Sequence, residues 1–562
     1  MSTSPDASTR PVDALCEQFV EDIARLDPFT ATGAGIAGHE HELTDLSPAG
    51  FDAREDLLRQ TLAAARAAVP VDERERTAQE AFVERLDLML ARSEAHQRSE
   101  VSVISSGLHS LRSVFDLMDT STEEGWRNVD ERLKGVPAAL ADYRRTLLEE
   151  ARNGHVSARR QYVEVAAQVR GWTGQDGSSN LFSDLVATAP DGLLKAELQR
   201  HAAGATDAVA AFGRFLETEL APVGLHADAV GRERYQLASR YFLGATVDLE
   251  ETYAWGWEEL HRIETEMAAI ADSYVPGGSI EDAAALLDAD PDRSIEGKEA
   301  FRDWMQELSD RTVGELAGTH FEIPDPIRRL ECCLAPTEDG GIYYTGPSED
   351  FSRPGRMWWS VPPGVTRFAP WREVTTVFHE GVPGHHLQVA QTAYRRDLLN
   401  RWQRQLCWVS GSGEGWALYA ERLMDELGYL DDPADKLGML DSQALRAARV
   451  VVDIGLHLEL EVPRDNPFGF RPGERWDGEM AYAFMRAHSR MDDATLRFEV
   501  NRYLGWPGQA PSYKVGERLW LRAREDAKAR KGADFDLKTF HRQALDLGSV
   551  GLEPLMAALA RL

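Results

Sequence analysis

Residues 374–388 read V-T-T-V-F-H-E-G-V-P-G-H-H-L-Q. An apolar, helix-forming lead-in is followed within eight positions by His379, Glu380, His385 and His386. Neutral imidazole is the commonest protein ligand for zinc, and a catalytic zinc takes three protein ligands, leaving a fourth position for the water it activates. A glutamate beside a ligand histidine is placed to act as general base. In the H-E-x-x-H pattern the second histidine follows at i+4, one helical turn on. Here i+4 is Pro383, and the next histidines stand at i+6 and i+7. On an unbroken helix, i+6 is about 120° off the face of His379 and i+7 lies roughly 10 Å along the axis. Pro383 removes a backbone donor and Gly384 permits unusual dihedrals, so a broken turn is expected between Glu380 and His385. Such a break can bring His385 to where the i+4 ligand would lie. His385 and His386 both stay open as the second ligand, because the choice depends on how the turn is distorted.

A third ligand is expected from Glu414, in S-G-S-G-E-G-W-A-L-Y-A-E, where Ser410–Gly413 reads as a glycine-rich turn and Glu414 opens the helix after it. Two histidines and a glutamate from a following helix make the gluzincin ligand set. Glu421, at i+7 on the same face, is either a competing ligand or a carboxylate that supports one.

The strings H-E-G-V-P-G-H-H-L-Q, E-G-W-A-L-Y-A-E, R-A-A-R-V-V-V-D-I-G-L-H and R-Y-L-G-W-P-G-Q-A-P-S-Y-K-V-G follow in that order. Together they resemble the bacterial family called domain of unknown function 885, over nearly the whole chain. That family looks related to helical zinc metallopeptidases of the neurolysin, thimet oligopeptidase and thermostable carboxypeptidase kind. Beside the carboxypeptidase string H-E-G-G-H, this motif reads as the same string with Val382 and Pro383 inserted, which implies His385 as second ligand. The resemblance implies a mainly α, two-lobed, neurolysin-like architecture with a small β-sheet beside the metal helix.

Composition sets the class of partner. The chain has 562 residues and a formal charge of -31, from 93 acidic against 62 basic side chains. That balance argues against nucleic acid and anionic membranes as partners. Cys16, Cys332, Cys333 and Cys407 show neither a disulfide framework nor zinc-ribbon spacing, as expected of reduced thiols. Met1–Arg10 is polar without an apolar h-region, and no run approaches the ~20 apolar residues of a membrane span. A cytoplasmic monomer or homodimer is the expectation.

Along the chain, Leu15, Phe19, Ile23 and Leu26 form one helical stripe that Pro28 stops. Thr77 and Glu80 resemble a capping box, and helices are expected over 123–152, 157–171 and from Asp248. An N-terminal helical lobe (1–275) then gives way to a metal-binding lobe (276–562), with a β region at about 320–361. Ile342–Thr345 and Met357–Val361 read as short strands. An edge of that sheet can pair with an extended peptide, with Tyr343 and Tyr344 beside the substrate.

On the expected helix 441–459, Asp453 and His457 stand at i and i+4, so a carboxylate can orient an imidazole donor toward the cleft. The turn Gly505-Trp506-Pro507-Gly508-Gln509 precedes Tyr513, the expected donor to the oxyanion of a cleaved carbonyl. Arg502, with its planar fork, is expected to bind a substrate carboxylate. The sum is a hydrolase holding one zinc ion on His379, His385 and Glu414, with Glu380 as base, acting on an amide bond in a short peptide or peptide-like molecule. Two rivals are a hydrolase of acyl or lactone substrates and a non-catalytic, metal-stabilised binding protein.

Overall fold

Local capping chemistry sets several of the helix starts. A computed structural model describes residues 10–335 and 341–562; of the polar Met1–Arg10 segment, only Arg10 lies within them. Helix α1 (Pro11–Leu26) buries Phe19 and Ile23, and leaves Leu15 and Leu26 half-buried. After it comes α2 (Pro48–Ala67), then α3 (Glu73–Glu94). The latter starts ahead of the expected Thr77–Glu80 box, because the Asp72 side chain accepts from the Glu75 amide and acidic Glu73 and Glu75 suit a first turn. Next are α4 (Glu123–Arg152), α5 (Arg159–Trp172), α6 (Leu193–Phe215) and α7 (Leu249–Tyr274). Gly154, at φ +86°, follows the end of α4, and Asp248 caps α7.

Apolar side chains divide into two cores. The smaller gathers Trp126, Leu133 and Tyr143 of α4, Val165 of α5 and Phe212 of α6. The larger runs from Phe19 and Phe82 through Trp257 and Leu260 to Phe378 and Trp416. The cores therefore do not divide near residue 275. Helix α7 lies with the larger core because its stripe Trp257, Leu260, Ile263 and Met267 is buried there, each side chain contributing about 1.5–3 kcal/mol. Gly256 of α7 would place a Cβ 3.0 Å from Val450 and 3.2 Å from Val451.

Three strands, β1 (Leu330–Leu334), β2 (Ile342–Thr345) and β3 (Gly355–Trp359), form a sheet in the order β1-β3-β2. The β1–β3 pair is parallel with Leu330 opposite Gly355, and β2–β3 is antiparallel with Ile342 opposite Trp359. Alternation puts Leu330, Cys332, Met357 and Trp359 on the buried face. Strand β3 starts two residues earlier than the stretch expected from Met357, and β1 adds a strand beyond the two expected.

After the sheet come α8 (Pro370–Glu380), α9 (His385–Tyr394), α10 (Ser410–Glu426), α11 (Pro433–His457), α12 (Asp493–Gly505) and α13 (Ser512–Lys531). The chain is mainly helical, and no helix among the described residues is long and apolar enough to cross a membrane.

Candidate metal centre

Helix α8 buries Trp371, Val374, Val377 and Phe378, which fixes His379 and Glu380 in its last turn. The helix stops there and α9 begins at His385, so the expected break spans Gly381–Gly384. Glycine is required by close approach: a Cβ on Gly384 would lie 2.0 Å from the His379 carbonyl oxygen. The Gly384 amide donates to the Phe378 carbonyl (3.1 Å), and the Trp416 indole donates to the Pro383 carbonyl (2.9 Å).

That break brings three side chains together. His379 Nε2 and His385 Nε2 each lie 3.4 Å from Glu414 Oε2, and one ligand atom from each residue falls within 4.8 Å of the others. Two ligands about 2.0–2.1 Å from one zinc ion at the tetrahedral angle are roughly 3.3–3.4 Å apart, so the donor set fits that ion. Glu421 Oε1 accepts from His379 Nδ1 at 2.7 Å while its other oxygen accepts from Thr375 (2.6 Å). A carboxylate can only accept, so the proton sits on Nδ1 and Nε2 faces Glu414. Among the described residues, the buried His385 Nδ1 has no hydrogen-bond partner. His386 is turned away: its Nε2 donates to the Ile327 carbonyl (2.6 Å) and its Nδ1 accepts from the Tyr344 hydroxyl (2.9 Å).

The carboxylates govern protonation at the site. Burial opposes protonation of His379, yet Glu414 and Glu421 outweigh it and raise its pKa to about 10. Burial likewise opposes ionisation of Glu414, but the two imidazoles hold its carboxyl well below the usual range. Glu380, 7% exposed, adds a third carboxyl group. A second cluster, His96, Glu150 and His155, converges in a similar way, with His96 Nδ1 and His155 Nδ1 3.0 and 3.3 Å from Glu150 Oε2. It differs in that Arg98 Nε already pairs with Glu150 at 3.2 Å, while the two imidazoles stack with centroids 3.4 Å apart.

Glu414 reaches the site through glycine packing. Helix α10 begins at Ser410, so the glycines expected to form a turn lie inside it. A Cβ on Gly415 would fall 2.5 Å from the backbone of Gly516 in α13, and one on Gly411 2.9 Å from the backbone of Leu243. The close approach of α10 and α13 sets Tyr513, in the first turn of α13, near Glu414. Burial, with the Glu414 charge next in size, lifts the Tyr513 hydroxyl to about 12, so it remains a donor at neutral pH.

Other expected positions differ. His457 is 0% exposed and donates from Nε2 to the Tyr503 carbonyl (3.0 Å), so it does not point into a cleft. Nor does Asp453 orient it. Asp453 Oδ2 accepts from the Tyr235 hydroxyl (2.7 Å) and the Gly508 amide (2.8 Å), which docks the Gly505–Gln509 turn onto α11. Arg502 is committed to Glu499, through bonds of 3.0 and 2.8 Å, and to Gln509 at 2.6 Å. A buried guanidinium needs those acceptors, which leaves its fork engaged. Tyr344 supports His386, while Tyr343 stacks on Trp358 with centroids 6.1 Å apart.

Two further residues at the site, Thr375 and Trp408, are not among those expected from the sequence. Thr375 stands four residues before His379 on one helix face, a signal that the sequence does carry. Trp408, whose ring centroid is 5.8 Å from that of His385, carries no comparable local signal.

Comparison with known proteins adds four findings. No curated protein matches the chain. A crystal structure described as that of a "putative lipoprotein" from Colwellia psychrerythraea superposes with a TM-score of 0.83 at 22% identity, covering 98% of each chain. A "putative lipoprotein of unknown function" from Shewanella oneidensis gives 0.73 at 18% identity, over 97% of this chain and 99% of that one. These likenesses establish a shared fold. The model of the family described as bacterial protein of unknown function (DUF885) matches residues 28–559, and the chain belongs to that family.

Proposed function

We propose that the protein is a zinc-dependent hydrolase cleaving an amide bond in a short peptide or peptide-like molecule, on a two-lobed, neurolysin-like helical scaffold of gluzincin type. The convergence of His379 and His385 on Glu414 Oε2, each at 3.4 Å, carries this reading. Those three residues would hold one zinc ion, which when bound polarises a carbonyl and makes water acidic enough to be a nucleophile near neutral pH. Glu380 takes the proton of the attacking water and passes it to the departing nitrogen. Tyr513 donates its hydroxyl hydrogen to the oxyanion that builds on the carbonyl. Glu421 fixes the His379 ring. With His386 and Glu421 engaged elsewhere, three protein ligands remain, the number of a catalytic rather than a closed structural site.

The same reading places a monomer or homodimer in the cytoplasm, acting on small molecules rather than nucleic acid or membranes. The charge of -31 and the four free cysteines support it.

Metal analysis of protein purified without added metal tests the site. About one zinc per chain is expected in wild type, lost in His379→Ala, His385→Ala and Glu414→Ala and kept in His386→Ala and Glu380→Gln. Turnover is expected to vanish in Glu380→Gln. Wild type that takes up no zinc on dialysis would overturn the hydrolase, and cleavage of N-acyl amino acids or lactones but of no peptide would replace the substrate class.

A further inference from the structure

A cavity of about 640 Å³ opens where the two apolar cores face each other. Phe19 and Trp402 on its wall belong to the larger core, Leu46 and Val114 to the smaller. Its size falls within the roughly 300–1,000 Å³ of pockets that enclose small ligands. Trp408 lines it and also touches the metal centre, its ring beside that of His385. Gly413, next to Glu414, makes room for this indole: a Cβ there would lie 2.3 Å from it. Thus His385 and α10 back the ring, yet 47% of Trp408 is exposed. A large aromatic held on one side and left bare on the other offers a stacking surface.

Basic groups on the wall are already engaged. Arg98 pairs with Asp52 (2.7 Å) and Glu150 (3.2 Å), Arg85 pairs with Glu84, and Arg54 donates to the Asp45 carbonyl at 2.8 Å. The wall also carries carboxylates and hydroxyls, among them Glu55, Glu100 and Ser110, and Trp408 adds an apolar face to it.

We propose that the cavity holds the part of the substrate flanking the scissile bond, and that Trp408 selects a bulky apolar or aromatic side chain next to that bond. The catalytic consequence rests on the hydrolase reading, whereas the binding does not require turnover. An aromatic side chain against Trp408 gains stacking beyond the area it buries, worth about tenfold or more in affinity over a methyl group.

The test uses full-length, zinc-loaded Glu380→Gln protein, with N-acetyl-Ala-Phe-Ala-amide and N-acetyl-Ala-Ala-Ala-amide as probes in calorimetry, and the wild type for kinetics. The Phe peptide is expected to bind about tenfold more tightly and to show a correspondingly lower KM. Adding Trp408→Ala is expected to abolish that preference without changing zinc content, and Trp408→Phe to restore most of it. An unchanged Phe/Ala ratio in Trp408→Ala, an equal loss for both peptides, or no binding of either peptide would overturn the proposal. Binding that depends on Trp408, with no hydrolysis by wild type, would support the cavity and refute the hydrolase.

Discussion

His385 and His386 are neighbours in sequence with opposite roles, because successive residues at a helix start point about 100° apart. One ring faces Glu414. The other is held at both nitrogens by Ile327 and Tyr344, and burial pushes its pKa down to about 4, keeping it neutral. A similar division applies to the carboxylates of α10: Glu414 faces the ligand side of His379, and Glu421 accepts from its far nitrogen. Removing such an outer carboxylate lowers metal affinity by about 10–100-fold. Glu421→Gln is therefore expected to keep its fold and bind zinc that much more weakly in chelator competition; affinity equal to wild type would show that Glu421 does not tune the site. These ligand types and the extra carboxylate were legible in sequence. The choice between adjacent histidines was not, since it depends on contacts from Ile327 and Tyr344, 59 and 42 residues away.

Among the elements, the glycines of S-G-S-G-E-G read as a turn and form helix. Local propensity disfavours glycine in a helix by about 1 kcal/mol, but here the absence of Cβ atoms lets α10 meet α13 backbone to backbone, outweighing propensity through packing. A comparable reversal affects Asp453, which secures the turn before Tyr513 instead of orienting His457. Burial raises its pKa to about 7, only partly offset by the bonds from Tyr235 and Gly508. In the unfolded chain it titrates near 3.8. Between those values the folded protein keeps a proton that the unfolded chain has lost, so stability falls as pH rises. A tenfold difference in acidity between the folded and unfolded chain corresponds to about 1.4 kcal/mol. Relative to wild type, Asp453→Asn is expected to gain stability between about pH 4.5 and 7.5 in urea unfolding; parallel pH profiles would refute this assignment.

Across the whole molecule, the two cores predict separable responses. Leu133 is 0% exposed in the smaller core, and truncating such a leucine costs about 2–5 kcal/mol. Leu133→Ala is expected to lower the unfolding midpoint of the α4–α6 region while native protein keeps about one zinc per chain. Equal loss of metal and stability would mean that the cores act as one unit. Sequence determined the mainly helical class, the short strands and the residue types available at His379, Glu380 and Glu414, because capping, periodicity and residue type are local properties. Tertiary structure decided which histidine faces Glu414, that Arg502 and His457 are engaged in the interior, where the cores divide and that Trp408 borders a cavity. Arg502 is held by the nearby Glu499 and Gln509; the others depend on contacts between segments far apart in the chain, where burial and hydrogen-bond satisfaction determine the orientation of a side chain.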